Sequence, residues 1–412
     1  MKILFISPLC PLPLEKGGAV RIWNIAKELS KRHTIDLVCF IRQEGERRYE
    51  DELKKVFNSV TFIKRRGLLD RSSLNGSVFA PFKFFVANTS LVTDTLFSSK
   101  PLLSELYESE EMKEYILTAD KSGEYDLLFA ETFYSIASLK KVLGELQTKL
   151  LLIEQNIESR AYSRQADQQK SPLLKRLMQH DVKKIQSEEE FFWKNVKLIG
   201  GLSSVDVNVI REKTGRPVLL LENGVDIAWF SEKKAVRDVN EVLFVGSFTY
   251  FQNIDSIKWL LNEIWPKIAS KYSVKLRIVG RGADTELKHF VHEKGFVIDE
   301  SVDDIRSAFQ QASVLLAPIR AGSGTKYKVL EAMASHLPVV TTELGAEGIN
   351  VIDGKHIMIG NTCEELVEKL IDLLHHQEKG QLIAENAYTF VKDKYDWSNI
   401  VSKFEPQLLG KL

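Results

Sequence analysis

The chain has 412 residues, 44% of them hydrophobic and 27% charged, with 56 Lys plus Arg against 56 Asp plus Glu and a formal net charge of zero. That composition supplies apolar side chain for two or three domains of ordinary size. It excludes disorder driven by low hydrophobicity and high charge, and the balanced charge excludes the global basic footprint of a nucleic-acid binder. Cys10, Cys39 and Cys363 lie far apart in sequence without CxxC spacing, so they read as buried small hydrophobes in a reducing compartment. No run reaches the ~18 apolar residues of a membrane-spanning helix. MKILFISPLC is too short, and too interrupted by Pro8, Pro11 and Pro13, for a signal peptide. The expectation is a cytoplasmic protein.

In chain order, KILFIS (2–7) is a short apolar run of strand type, closed by a Pro-rich loop and Gly17-Gly18. AVRIWNIAKELSKR (19–32) follows with a helical stripe, then the strand TIDLVCFI (34–41). Further strands are expected at YDLLFA (125–130) and KLLLIEQ (149–155). Residues 156–195 are Gln- and charge-rich and read as one or two surface helices closing the first unit. A second strand series is expected to begin near 217, with PVLLLEN, EVLFVGS (241–247), KLRIVGR (275–281), SVLLAPI (313–319) and PVVTTE (338–343). A helix over 254–272 lies between two of them. Strand–helix–strand alternation predicts two α/β units with parallel sheets. The boundary is placed at 215, inside REKTGRP.

The segment 64–100 carries Lys64, Arg65, Arg66 and Arg71, then Phe79, Phe82, Phe84, Phe85 and Phe97. It reads either as an insertion whose aromatics pack on the first domain or as a basic, aromatic surface for an amphipathic acceptor or a membrane face.

Two places can hold an anion. Gly17-Gly18 opens a helix directly after the first strand, where a ligand can approach backbone N–H groups; the pair is equally consistent with a plain turn. APIRAGSGTKYKVLEAMASHLPVVTTELGAEGI (317–349) is the more informative stretch. A helix is expected to begin near Thr325, presenting N–H groups from about Gly324 to Tyr327 beside Lys326 and Lys328. Cations are misplaced at a helix N-terminus unless a bound anion offsets them. Glu331, further into that helix, can accept hydrogen bonds from ribose hydroxyls. A solvated helix start with ordinary surface lysines is the plainer alternative.

These residues resemble a family. The chain is similar, nearly end to end, to retaining GT-B glycosyltransferases of family 4, nucleotide-sugar enzymes with two Rossmann-like domains facing each other across a cleft. The Pro-rich loop, GG and helix look like the family's glycine loop. ENGVDIAWF (222–230) looks like PNGVD-x-x-F with Glu222 where proline is usual. LFVGSFTYFQNIDSIKWL (243–260), IVGRGAD (278–284) and GFVIDESVDDIRSAFQQASVLLAPI (295–319) follow the donor-domain order. YDWSNIVSKFEPQLL (395–409) looks like the last helix, which in this fold crosses back onto the first domain.

The resemblance implies an acceptor-binding domain at 1–215, a nucleotide-sugar donor domain at 216–394, and a returning helix at 395–412. It implies donor contacts at Gly17, Gly18, Gly246, Ser247, Asn253, Arg281, Phe296, Val297, Ser323, Gly324 and Thr325. Lys326, Lys328 and Glu331 are the expected catalytic residues, and Asn156 and Glu158 lie on the acceptor side.

Glu331 corresponds to the second glutamate of the E-x7-E motif, and Ser323 stands where the first is usual. Ser247 and Asn253 occupy positions that are often arginine and lysine, whose charge Lys326 and Lys328 are expected to supply. Gln155 stands where the family has histidine. His289 and His292 fall on an expected surface helix and His336 in a loop, where structural roles are commoner than catalytic ones. No DxD or His/Cys cluster has metal-ligand spacing; VDVN (205–208) and VDD (302–304) lie in or before helical segments and read as ordinary caps and surface. The expectation is metal-independent transfer, with retention, from a UDP- or GDP-sugar to a saccharide or lipid-linked acceptor in bacterial polysaccharide or glycoconjugate biosynthesis. No nucleic-acid partner is expected, and if 64–100 is the basic, aromatic surface, peripheral contact with the inner membrane face is expected to run through it. A silent GT-B scaffold and a nucleotide-sugar epimerase are the rival readings.

Overall fold

Two all-parallel sheets organise the described residues. The first contains β1 (Lys2–Ser7), β2 (Thr34–Ile41), β3 (Ser59–Lys64), β4 (Leu127–Glu131), β5 (Leu150–Glu154), β6 (Leu198–Gly201) and β7 (Leu219–Leu220). Its spatial order is β3-β2-β1-β4-β5-β6-β7. The second contains β8 (Glu241–Val245), β9 (Lys275–Val279), β10 (Phe296–Asp299), β11 (Val314–Ala317), β12 (Val339–Thr341) and β13 (Met358–Ile359), in the order β10-β9-β8-β11-β12-β13. These are coordinates of a computed structural model, which describes residues 1–412 except Glu15, 67–97, Gln168, Lys170, 233–236, Thr249, 288–294, Ser301, Asp303 and Ser323. The expected features at Arg71, the phenylalanines of 79–97, His289, His292 and Ser323 lie outside the described residues.

The strands are near-continuous apolar runs because helices cover both faces of each sheet. In β1, Leu4 and Ile6 enter one core cluster, and Phe5 on the opposite face stacks on Phe129 with ring centroids 4.6 Å apart. In each sheet the strand order reverses once, between β1 and β4 and between β8 and β11. Loops leaving the C-terminal ends of those strands diverge and open a crevice, the place where doubly wound sheets take ligands.

By contacts the chain divides into Met1–Glu222 with Val401–Leu412, and Asn223–Ile400. The closing helix, Trp397–Leu409, therefore ends in the first unit. There Phe404 meets Phe129 at 6.5 Å, and Glu405 accepts from His33 Nε2 at 2.6 Å and pairs with Arg32.

The PVLLLEN run differs from its expected place. Leu219–Leu220 pairs with β6 and ends the first sheet instead of opening the second series. Residues 156–195 do form two helices, Glu158–Asp167 and Pro172–Asn195, but the second is more than surface: Ile185, Glu188, Glu189, Phe192 and Trp193 are buried. The helix expected over 254–272 starts at Phe251 and contains a π-turn at Leu260–Ile264, one turn before Pro266. The wider turn accommodates a ring that cannot donate to the α-helical ladder. Asp304 caps the helix Ile305–Gln311, as expected, whereas Asp206 lies in the first turn of Ser204–Thr214 and Ser203 is the cap there. His336 adopts φ 53° just past the helix Tyr327–Ala334, stacks on Tyr388 at 3.8 Å and bonds Glu385 at 3.1 Å, a structural role. The three cysteines are buried free thiols. Cys10 and Cys39, distant in sequence, are neighbours: their hydrogen bond lowers the Cys10 thiol, while burial raises that of Cys39.

The ENGVD stretch is fixed by close packing. The Val225 N–H donates to the Tyr395 carbonyl at 2.8 Å. A Cβ on Gly224 would lie 2.7 Å from that carbonyl oxygen and 2.8 Å from the Trp397 ring. Gly224→Ala should therefore destabilise the protein by about 1–3 kcal/mol through overpacking. The measurement is urea unfolding, and an unchanged midpoint would contradict the packing argument.

Candidate functional site

In the second unit the crevice is built by backbone that carries no side chains where it must approach other groups. A Cβ on Gly280, after β9, would lie 2.0 Å from the Gly246 carbonyl oxygen, after β8. The Gly246 N–H in turn donates to Val279 at 3.0 Å. A Cβ on Gly246 would lie 2.8 Å from Asn253 Oδ1 and 3.0 Å from Lys328 Nζ. These two glycines let the loop fold down onto Asn253 and Lys328.

Asn253 then works in both directions. Its Nδ2 donates to the Ser247 carbonyl at 2.8 Å, and its Oδ1 accepts from Lys328 Nζ at 2.8 Å. Lys328 Nζ also lies 5.1 Å from the Phe244 ring centroid. Burial lowers the Lys328 pKa to about 8, with neighbouring Glu331 working against the shift and Lys326 working with it. Burial raises the Glu331 pKa to about 7, with Lys328 opposing. Glu331 accepts no side-chain hydrogen bond among the described residues. Both groups sit on the helix Tyr327–Ala334, whose first turn holds no acidic residue and whose N-cap, Lys326, makes no capping bond.

The helix begins at Tyr327, two residues later than expected, because Gly322 and Gly324 hold positive φ values of 104° and 72° ahead of it. The two lysines separate in role. Lys326 Nζ folds back on the Gly324 carbonyl at 2.5 Å and lies 3.9 Å from Glu347, so it straps the loop. Lys328 is the cation held at Gly246 and Asn253. Thr325 packs against Gly348, where a Cβ would meet its Oγ1 at 2.9 Å. Arg281 follows β9, and its carbonyl accepts the Phe248 N–H at 2.9 Å, tying two strand-end loops together.

Phe296 and Val297 are not brought to this edge. The parallel register pairs Phe296 with Leu276 at the start of β9 and Asp299 with Val279 at its end. Phe296 therefore sits at the N-terminal end of β10, 6.1 Å from the Trp265 ring, and Val297 is exposed. The sequence order of the strand was right, but the residues at its other end face the crevice: Glu300 Oε1 accepts the Gly282 N–H at 3.3 Å.

In the first unit, Gly17 and Gly18 open the helix Gly17–Leu29. An ideal Cβ on Gly18 would lie 2.9 Å from Gln155 Oε1. Gln155 Nε2 donates to Glu131 Oε2 at 3.1 Å, and the same oxygen accepts from Arg21 Nε at 3.3 Å. Arg21 and Glu131 are wholly buried, and Arg21 also donates to the Glu222 carbonyl at 3.1 Å. Burial raises the Glu131 pKa, while Arg21 and Gln155 pull it down. Residue by residue, the sequence signal was an acidic residue ending the apolar run LLFAE and an arginine inside an otherwise apolar helix face. The Gly17-Gly18 turn thus meets the Gln155 amide carbonyl.

Asn156 and Glu158 follow at the end of β5. Burial raises the Glu158 pKa to about 7, against a hydrogen bond from Asn156. Glu189 caps the helix Glu158–Asp167, accepting the N–H groups of Glu158 at 2.5 Å and Ser159 at 3.3 Å. Its pKa rises to about 8 on burial. Glu154, beneath, accepts from Trp193 Nε1 at 2.8 Å and is raised by burial and by Glu189.

With both crevices described, comparison with known proteins assigns the class. Residues 239–376 match the family of group 1 glycosyl transferases. A Klebsiella pneumoniae protein described as an uncharacterized 44.6 kDa protein in the cps region is 22% identical over 97% of this chain and 98% of its own. The phosphatidyl-myo-inositol mannosyltransferase of Mycolicibacterium smegmatis is 27% identical over 49% of this chain and 55% of its own length. Among solved structures, Anabaena HepE in complex with UDP and glucose aligns over 100% of both chains with TM-score 0.67 at 15% identity. The protein is a glycosyltransferase with the GT-B fold, its second unit carrying the group 1 domain.

The Lys328 shift makes a stability test. Its folded pKa lies below the unfolded value of 10.5, so it contributes stability above 10.5 that is lost as pH falls through about 8. Lys328→Met, which carries no such charge, should therefore gain in melting temperature relative to wild type as pH drops from 10 to 7. Parallel melting curves across that window would show that Lys328 is not desolvated.

Proposed function

We propose that the protein transfers a sugar from a nucleoside diphosphate-sugar, a UDP- or GDP-sugar, to a saccharide or lipid-linked acceptor. In this reading transfer retains anomeric configuration, needs no metal, and serves bacterial polysaccharide or glycoconjugate biosynthesis in the cytoplasm. The observation that carries it is Lys328, a half-buried ammonium held by Asn253 beside Gly246 at a helix start. A desolvated cation at that point is what a leaving diphosphate requires as charge develops on it, a role like that of an oxyanion hole. Glu331, on the same helix and accepting no side-chain hydrogen bond among the described residues, suits ribose hydroxyls. The bound UDP of HepE, the cps-region location of the Klebsiella relative and the mannosyltransferase name support the donor class and setting. Retention rests on the resemblance to family 4. Lys64 and Arg66, exposed at the start of 64–100, support peripheral membrane contact through that segment.

Thermal unfolding against UDP, GDP, ADP, TDP and their sugars, without added metal, tests the donor site. One nucleoside diphosphate at a hundredfold excess over its dissociation constant should stabilise the native state by about 2.7 kcal/mol. Lys328→Ala and Glu331→Ala should each abolish most of that shift. No shift with any ligand would leave a GT-B scaffold as the better reading.

The pH dependence has a definite sign. Diphosphate binding favours protonated Lys328, so affinity should fall as pH rises above about 8. Ribose binding favours ionised Glu331, so affinity should also fall as pH drops below about 7. Calorimetric titration from pH 5.5 to 9.5 checks both limbs, and a flat profile contradicts the assignment. For the membrane contact, deletion of 70–90 should reduce sedimentation with anionic vesicles; unchanged sedimentation removes that part of the proposal.

A further inference from the structure

Of the three free thiols, Cys10 and Cys39 are brought together by the fold, and sugar transfer uses neither. Register explains the meeting. β1 and β2 pair in parallel with Ser7 opposite Cys39. Leu4 and Ile6 of β1 and Val38 and Phe40 of β2 enter one core cluster, so the alternation of side chains puts Ser7 and Cys39 together on the opposite face. Ser7 Oγ then turns the chain, donating to the Leu9 carbonyl at 2.5 Å and accepting the Leu9 N–H at 3.2 Å. The chain folds back over the Ser7 side chain, and Cys10, next in line, arrives beside Cys39. Both thiols are buried.

Their environments differ. The Cys10 sulfur accepts from the Cys39 S–H and from the Leu12 N–H, which favours its thiolate against burial and the nearby Glu46. Cys39, inside β2, is held as a thiol by burial and by Cys10, with Glu46 acting the same way and Arg47 opposing. A sulfur inclined to the thiolate and touching a protonated one is the arrangement of an attacking and a resolving cysteine.

We propose that Cys10 and Cys39 form a reversible disulfide when hydrogen peroxide reaches the loop after β1, fixing that loop to β2. In the first step the Cys10 sulfur attacks a peroxide oxygen. An S–O bond forms, the O–O bond breaks, and the leaving hydroxide takes the Cys10 proton and departs as water. Sulfur loses two electrons and the peroxide gains them. In the second step the Cys39 sulfur attacks the sulfenic sulfur; the S–S bond forms, the S–O bond breaks, and the hydroxyl leaves as water with the Cys39 proton. The sulfurs must close from hydrogen-bond contact to about 2.05 Å. Cys39 is fixed in the ladder, but Cys10 lies past the last paired residue of β1, so the loop can supply the movement. In a reducing setting the pair rests as two thiols, and a thiol reductant restores it. The crosslink holds the chain just ahead of the helix Gly17–Leu29, whether or not the protein transfers sugar.

The test uses the full-length protein, reduced and then exposed to a slight excess of hydrogen peroxide. Thiols counted after denaturation should fall from three to one, and return to three with dithiothreitol. A tryptic digest without reductant should show residues 3–16 joined to residues 33–42, lighter than their sum by two hydrogens, with Cys363 still alkylated in 356–369. Amides between Leu9 and Val20 should exchange more slowly in the oxidised protein, and unchanged exchange would overturn the fixing of the loop. Cys39→Ala removes the resolving thiol, so Cys10 should then be trapped as a sulfenic acid by dimedone, with no joined peptide. Should that variant fail to fold, the peptide map of the wild type decides alone. Three thiols retained, oxidation at Cys363 or between chains, or a sulfinic acid at Cys10 without the joined peptide overturns the proposal.

Discussion

Desolvation at one helix start governs the chemistry of the second unit. Lys328 and Glu331 stand on the helix Tyr327–Ala334, and burial drives each toward its neutral form, one down to about 8 and the other up to about 7. Their mutual attraction opposes both shifts and does not cancel them. An ammonium in this state is weakly hydrated, so an incoming anion need strip little water from it. The position depends on glycines at both strand ends. With Gly280 against Gly246 and Gly246 against Asn253, the lysine reaches an asparagine oxygen that a side chain at 246 would displace.

The first unit uses the same strand order for opposite chemistry. Its crevice gathers carboxyl groups at Glu131, Glu154, Glu158 and Glu189, and burial raises all four. The helix after β5, which could have offered its N–H groups to an anion, already has them filled by Glu189. Arg21, one turn into the helix that Gly17 and Gly18 open, is buried on Glu131. A surface of this kind favours neutral polar groups over phosphate, whereas the second unit's favours the anion. The two units thus differ in charge preference by which helix start is left open, although their sheets are built alike.

Strand identity was legible because buried parallel strands are unbroken apolar runs, and β1 and β2 match their expected limits residue for residue. What failed was information that a run does not contain. Leu219–Leu220 is as apolar as a core strand, but only pairing with β6 shows which sheet it joins. Phe296 and Val297 belong to a real strand, yet a strand has two ends and only the register shows which faces the crevice. Lys326 and Lys328 are indistinguishable by spacing. Two positive-φ glycines aim the first back at its own loop and leave the second at Asn253. The Arg21–Glu131 pair joins residues 110 apart in the chain, so sequence could mark both as odd without joining them.

Lys328 also explains why the site is costly to keep without ligand. A charged lysine whose folded pKa sits below its unfolded one destabilises the protein throughout the neutral range. A lysine at a helix N-terminus adds repulsion from the helix dipole, with no acidic residue in the first turn to relieve it. Under the proposed donor reading, both penalties would reverse with a diphosphate in place, because the anion would supply the counter-charge that neither Asn253 nor a half-neutral Glu331 provides. In that reading the instability of the site is converted into affinity for charge on the ligand, and most strongly for the state in which a leaving diphosphate would carry the most of it.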